Sequence, residues 1–87
     1  MTSSDAETLA IRAFSQVMDD PRLLSAFLAQ SGEEPARLSD RLTERGFQIG
    51  VLDFLLAEDA RLTAFCEAVN VTPHDIALAR HVLDPIA

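Results

Sequence analysis

The sequence predicts an all-α protein, a single small bundle of five or six short helices. Three observations lead there. Apolar residues recur at intervals of three and four along nearly the whole chain, which is the period of a helix face. The breaks between these runs carry helix-start and helix-stop chemistry, with proline following an N-cap residue and isolated Gly or Asn closing the runs. The chain has 87 residues, of which 48% are hydrophobic, enough to fold and too few for two independent cores. One domain over residues 1–87 follows, with 1–4 and 85–87 expected as loose ends.

Each element can be justified in turn. Ser4-Asp5-Ala6-Glu7 has the form of a capping box, and Ala6, Leu9, Ala10, Ala13, Phe14 and Val17 then form one apolar stripe, predicting a first helix over about residues 5–18. Asp20 before Pro21 starts the second, because proline at the first helical position lacks only a donor that would be unpaired there. That helix reaches about Ser31, and Gly32 stops it by accepting a left-handed backbone. Pro35 opens a third helix, which Gly46 is expected to close. Phe47 to Ala57 is the most apolar segment, with Gln48 and Asp53 its only strongly polar side chains, and is expected to be a fourth helix buried on most of its circumference. Within it, Gly50 offers room for another helix to approach closely. Asp59 begins a fifth helix with a stripe of Leu62, Phe65, Cys66 and Val69, stopped at Asn70. Thr72-Pro73-His74-Asp75 starts the sixth with an N-cap, a proline and an acid at the positive end of the dipole, and it ends before Pro85.

The two halves echo one another. Leu24, Ala26, Phe27, Pro35 and Leu38 correspond to Leu62, Ala64, Phe65, Pro73 and Ile76 at a constant offset of 38, suggesting two pseudo-repeated three-helix units packed into one core. Similar helix-start chemistry in each half would produce the same pattern without duplication.

Charge narrows the function classes. Fourteen acidic residues face seven basic ones for a formal charge of -7, which disfavours nonspecific attraction to nucleic acid or to an anionic membrane. All seven basic residues are Arg. The single Cys66 cannot form an internal disulfide, the first eleven residues have no basic n-region, and the longest charge-free stretch, Leu23 to Gly32, is about half of a membrane span. A cytoplasmic location and no membrane association are the expectations.

Asp20-Pro21-Arg22-Leu23-Leu24, Phe27-Leu28, Gly32, Pro35, Val51-Leu52-Asp53-Phe54-Leu55-Leu56, Asp59, Phe65 and Pro73 together carry a family likeness. Over roughly residues 6–83 the chain resembles a family of short bacterial proteins known as Domain of Unknown Function 3572, and the V-L-D-F-L-L stretch is the most specific part of the match. The resemblance implies a small, Lys-poor, all-helical cytoplasmic protein of alphaproteobacterial type. A helical turn such as T-G before Pro35 would be conventional, and this chain has Ser31-Gly32 there. No activity is assigned to the family, so no catalytic or binding residue carries over.

The chemistry-bearing residues have structural explanations close at hand. Asp19-Asp20, Glu33-Glu34 and Glu58-Asp59 each sit at a predicted helix start, where acids cap free amides and meet the dipole. His74 and His81 are seven residues apart on one helix, about 10 Å along its axis, too far to share a metal. Cys66 lies in an apolar stripe, where a free thiol packs like a small hydrophobe. No P-loop, nucleophile elbow or dinucleotide fingerprint occurs, so no catalytic residue, metal site or cofactor is expected.

The chain therefore reads as a protein-interaction module, partnered by itself or by another protein. Phe47, Ile49 and Phe54 are the expected contact residues, because a helix apolar all round leaves surface that so small a domain cannot cover. The alternative is nucleic-acid or phosphate binding by Arg37, Arg41 and Arg45, spaced by four on the third helix, in a helix-turn-helix formed with the second. Glu33, Asp40 and Glu44 lie three or four positions away and can neutralise that stripe. A third reading is an enzyme of unrecognised type, for which no nucleophile, base and orienting group can be aligned.

Overall fold

Three of the helices begin where a side chain accepts from their first free amides, and the other three start without such a cap. In the structure, a computed structural model that describes residues 1–85, α1 spans Ser3–Asp19, α2 Pro21–Ser31, α3 Leu38–Arg41, α4 Arg45–Leu56, α5 Asp59–Val69 and α6 Pro73–Leu83. A 3-10 turn, Pro35–Arg37, leads into α3, and there is no strand among the described residues.

The all-α prediction and most boundaries hold. Asp20 caps α2 by accepting hydrogen bonds from the amides of Arg22 and Leu23 at 2.9 and 3.4 Å. Gly32 ends that helix at φ 71°, and Asn70 ends α5 at φ 58°, both left-handed. At α6 the Thr72 hydroxyl accepts from the Asp75 amide at 3.1 Å, while the Thr72 amide donates to the Asp75 carboxylate at 2.9 Å. The offset of 38 relates the two left-handed stops to one another, and also the two helix-opening prolines Pro35 and Pro73.

Two local readings are corrected. The first capping box is Thr2 with Asp5, not Ser4 with Glu7, so Ser3 and Ser4 are helical and residues 1–4 are not a loose end. Both pairs have the right spacing, and the earlier one leaves Asp5 free to receive the Thr2 amide at 3.0 Å. At the other end, residues 86 and 87 lie outside the described residues. The third helix is also shorter than predicted. It stops at Arg41, and Gly46 belongs to α4 with a negative φ rather than closing α3. The glycine penalty of about 1 kcal/mol is smaller than the roughly 1.5–3 kcal/mol from burying Phe47, which an earlier start of α4 secures. Gln48, buried in α4, donates through Nε2 to the Leu42 carbonyl at 2.8 Å and so takes up an acceptor that the end of α3 leaves open.

Packing is organised around α1, α4 and α6, which contact one another pairwise. α2 lies on α1 and α4, and α5 lies on α4 with lesser contact to α6. All six residues of the predicted α1 stripe are buried, as are Phe65 and Cys66 on α5 and Ile76, Ala79 and Leu83 on α6. One aromatic cluster joins α1, α2 and α4. The Phe27 ring meets Phe14, Phe47 and Phe54 edge-on, with centroids 6.0, 5.7 and 5.4 Å away. Arg80 ties α6 to α4 through a forked bond to Asp53, with Nε to Oδ1 at 2.9 Å and Nη2 to Oδ2 at 3.4 Å. A radius of gyration of 11.8 Å agrees with the roughly 12 Å expected of a single compact body of this length.

Candidate interaction surface

The expected contact residues of α4 do not form a surface. Phe47 and Phe54 are only 3% and 4% exposed, and Ile49 is half-buried. The correction has a clear cause. Phe47 is enclosed by Phe14, at 5.2 Å between centroids, and by Phe27, while Phe54 lies between Phe27 and the Arg61 guanidinium, 3.9 Å above its ring. Arg61 also donates to the Phe54 carbonyl at 3.2 Å and pairs with Glu58 at 2.7 Å, so its charge is satisfied while the flat guanidinium covers the face of the ring. α4 is thus covered on more sides than its neighbours' lengths suggest. Gly50 is exposed, and no atom of another helix lies within 4 Å of the position a Cβ would occupy, so the expected close helix approach is not made there; Gln30 and Ser31 of α2 only line the open cleft beside it.

The arginine stripe is broken up by the end of α3. Arg37 lies in the 3-10 turn, Arg41 at the last position of α3 and Arg45 at the first of α4, so the three do not share one helix face. Arg37 pairs with Glu34 at 3.7 Å, and Arg41 pairs with Glu33 at 3.2 Å and with Glu44. A helix of four residues is also too short to lie in a major groove as a recognition helix.

Of the three acid pairs expected to cap helix starts, Asp19-Asp20 does so through Asp20, whereas Glu34 and Glu58 make no side-chain cap and pair instead with Arg37 and Arg61. Cys66 is buried, and burial, with a smaller push from the Asp75 charge, raises its thiol above the ordinary range, the opposite of an activated nucleophile. His74 and His81 are exposed on α6, and among the described residues no group of three His, Cys, Asp or Glu is placed to hold a metal ion. Among the described residues no helix is long and apolar enough to cross a membrane.

Exposed large apolar side chains occur elsewhere, at Met1, Ile11 and Met18. Ile11 and Met18 stand on the outer face of α1, 42% and 46% exposed. Beside them an open groove of about 300 Å³ runs between α1 and α3, lined by Ile11, Phe14, Ser15, Met18, Ser39 and Leu42. Two further clefts of about 250 Å³ each have more polar rims: one beside Gly50 and Asp53, the other among Asp19, Asp20 and Arg61. The outer α1 face has a weaker apolar signal than the α4 segment, with only two large apolar side chains among small polar ones. Its signal was nevertheless present: Ser4, Thr8, Ile11, Ser15 and Met18 are spaced four, three, four and three, an uncharged seam opposite the core stripe.

No curated protein and no solved structure matches the chain. A family described as protein of unknown function (DUF3572) matches residues 3–86, nearly the whole length and including every helix described above. The run Val51 to Leu56 that carried the resemblance is the inner helix α4, whose Val51, Leu52, Phe54 and Leu55 are all buried, so its pattern reflects the core. The chain belongs to the DUF3572 family.

Proposed function

We propose that the chain is a small protein-interaction module without catalytic chemistry of its own, and that its contact surface is the outer face of α1. The observation that carries this reading is the pairing of two exposed large apolar side chains, Ile11 and Met18, with the groove they border. Apolar side chains of this size on one helical face, next to a concavity, are what helix-in-groove recognition uses. Ile11→Asp should leave the fold intact, since surface changes of this kind stay within about 0.5 kcal/mol. The absence of catalysis is supported by the buried, high-pKa state of Cys66, the chain's only thiol. Nucleic-acid binding has less support, because two of its three arginines are already paired with carboxylates.

Placing a photocross-linking amino acid at Ser15, which is exposed between Ile11 and Met18, tests the reading in the native cell. A discrete heavier adduct that disappears in the Ile11→Asp background is the expected result. If no adduct forms, or if Ile11→Asp leaves it unchanged, the surface is not a contact site.

A further inference from the structure

We infer that the occupant of the α1 surface is a cationic amphipathic helix of another protein, an inference that rests on the contact surface proposed above. Three features of the chain lead to it.

The first is the geometry of the seam. At about 100° per residue, Ser4, Thr8, Ile11, Ser15 and Met18 fall within an arc of about 80° on α1. All five are exposed. Their spacing follows a heptad, so a helix laid along α1 can keep its own apolar positions against them for the whole length of Ser3–Asp19. The small side chains at positions 4, 8 and 15 let a second backbone come close, and Ile11 and Met18 supply the apolar contact.

The second is the incomplete third element of the first half. By the offset of 38, Pro35 corresponds to Pro73, so the 3-10 turn and α3 hold the position along the chain that α6 holds in the second half. α6 is an eleven-residue helix that packs against both α1 and α4. Its counterpart ends after four α-helical residues, and the groove opens between that short helix and α1, against Ser39 and Leu42. A helix supplied from outside would add there the packing that a full-length third element would have provided.

The third feature is charge, which selects among helices. The seam is flanked on α1 by Asp5, Glu7 and Asp19 and by one base, Arg12. Arg12 donates from Nη2 to the Val69 carbonyl at 3.3 Å, which draws it toward α5. Arg41, on the same short helix as Ser39, is held by Glu33 and Glu44. The flanks are therefore acidic, on a chain of formal charge -7. A second copy would meet like charge on like charge, whereas a helix with Lys or Arg beside its apolar seam would meet complementary charge.

The probe is a labelled helical peptide of about 18 residues, long enough to run the length of α1, with Leu at its seam positions and Lys at the flanking ones. A second peptide carries Glu in place of Lys. Fluorescence anisotropy against the full chain should show the Lys peptide binding at least about tenfold more tightly than the Glu peptide, and weakening as salt is raised. Ile11→Asp is the decisive variant, because it makes the chain more acidic while removing the apolar contact. Seam docking predicts at least about a tenfold loss of Lys-peptide binding in this variant, whereas diffuse attraction to an acidic protein predicts equal or tighter binding. A circular dichroism melt of the variant matching that of the parent shows that the loss is local. Equal binding of the two peptides, no binding of either, or undiminished binding to Ile11→Asp overturns the inference. A Ser15 adduct with the mass of two copies of the chain also overturns it while leaving the contact surface itself standing. Absence of any adduct removes the surface and the inference together.

Discussion

Replacing Phe27 by Ala tests the core most directly, because this one side chain connects three helices. Phe27 is 2% exposed and is the only buried residue of α2. Its ring is the common neighbour of Phe14, Phe47 and Phe54. Burying such a ring contributes about 1.5–3 kcal/mol by transfer from water, and each edge-on aromatic partner adds about 0.5–1.5 kcal/mol that truncation forfeits. These contributions are not additive, and Phe→Ala changes in cores cost about 3–5 kcal/mol. At about 0.05–0.15 kcal/mol per residue a chain of 87 residues has roughly 4–13 kcal/mol in total, so the loss is a large share of the whole. Each kcal/mol lowers Tm by about 4–8 °C in a domain of this size, which gives an expected drop of roughly 12–40 °C. The chain has no Trp and no Tyr, so helix ellipticity during urea and thermal unfolding is the suitable signal. Ile11→Ala, on the outer face of α1, serves as the control and should fall within about 0.5 kcal/mol of the parent. A Phe27→Ala cost below about 1 kcal/mol would refute the reasoning, because it would mean that α2 is not held to α1 and α4 through this ring.

Further outcomes follow from the glycines and from the cap of α6. Gly50→Ala should stabilise by about 0.5–1 kcal/mol, since the position is helical, exposed and open where a Cβ would stand, while Gly32→Ala should destabilise by about 1–2 kcal/mol because φ there is 71°. Urea midpoints of the two variants moving in the same direction would contradict the assigned backbone geometry. Asp75→Asn should lower stability at neutral pH and lose its effect in acid. The Thr72 amide, and then the Thr72 side chain, hold the Asp75 carboxyl below its ordinary 3.8, so its contribution is full above that value and disappears as pH falls through the lower folded-state value. Unfolding curves of parent and variant taken from neutral to acid pH should therefore converge; a constant difference would show that the charged form of Asp75 is not what supports the helix start.

Local chemistry by itself determined the number of helices and most of their ends. Asp20 with Pro21, Thr72 with Pro73, Gly32 and Asn70 act within a few residues of themselves, through hydrogen bonds and backbone freedom that need no distant partner. The inner stripe of α1 was legible for a related reason. Ala6, Leu9, Ala10, Ala13, Phe14 and Val17 occupy one side and polar or small residues most of the other, so the helix has only one face to bury.

Tertiary structure decided the rest. α4 is apolar around most of its circumference, and periodicity cannot rank faces that are all apolar; Phe14 of α1 and Phe27 of α2 buried Phe47 and Phe54, and the Arg61 guanidinium closed over the latter ring. The same packing moved the start of α4 back to Arg45, because bringing Phe47 into the aromatic cluster outweighs the cost of a glycine inside the first turn. That shift ended α3 early, divided Arg37, Arg41 and Arg45 among three elements and opened the groove beside Ile11 and Met18. Caps and stripes are short-range properties that a sequence records residue by residue, whereas the choice of which apolar face remains outside depends on how much area the other helices can cover, a quantity fixed only once all six are packed together.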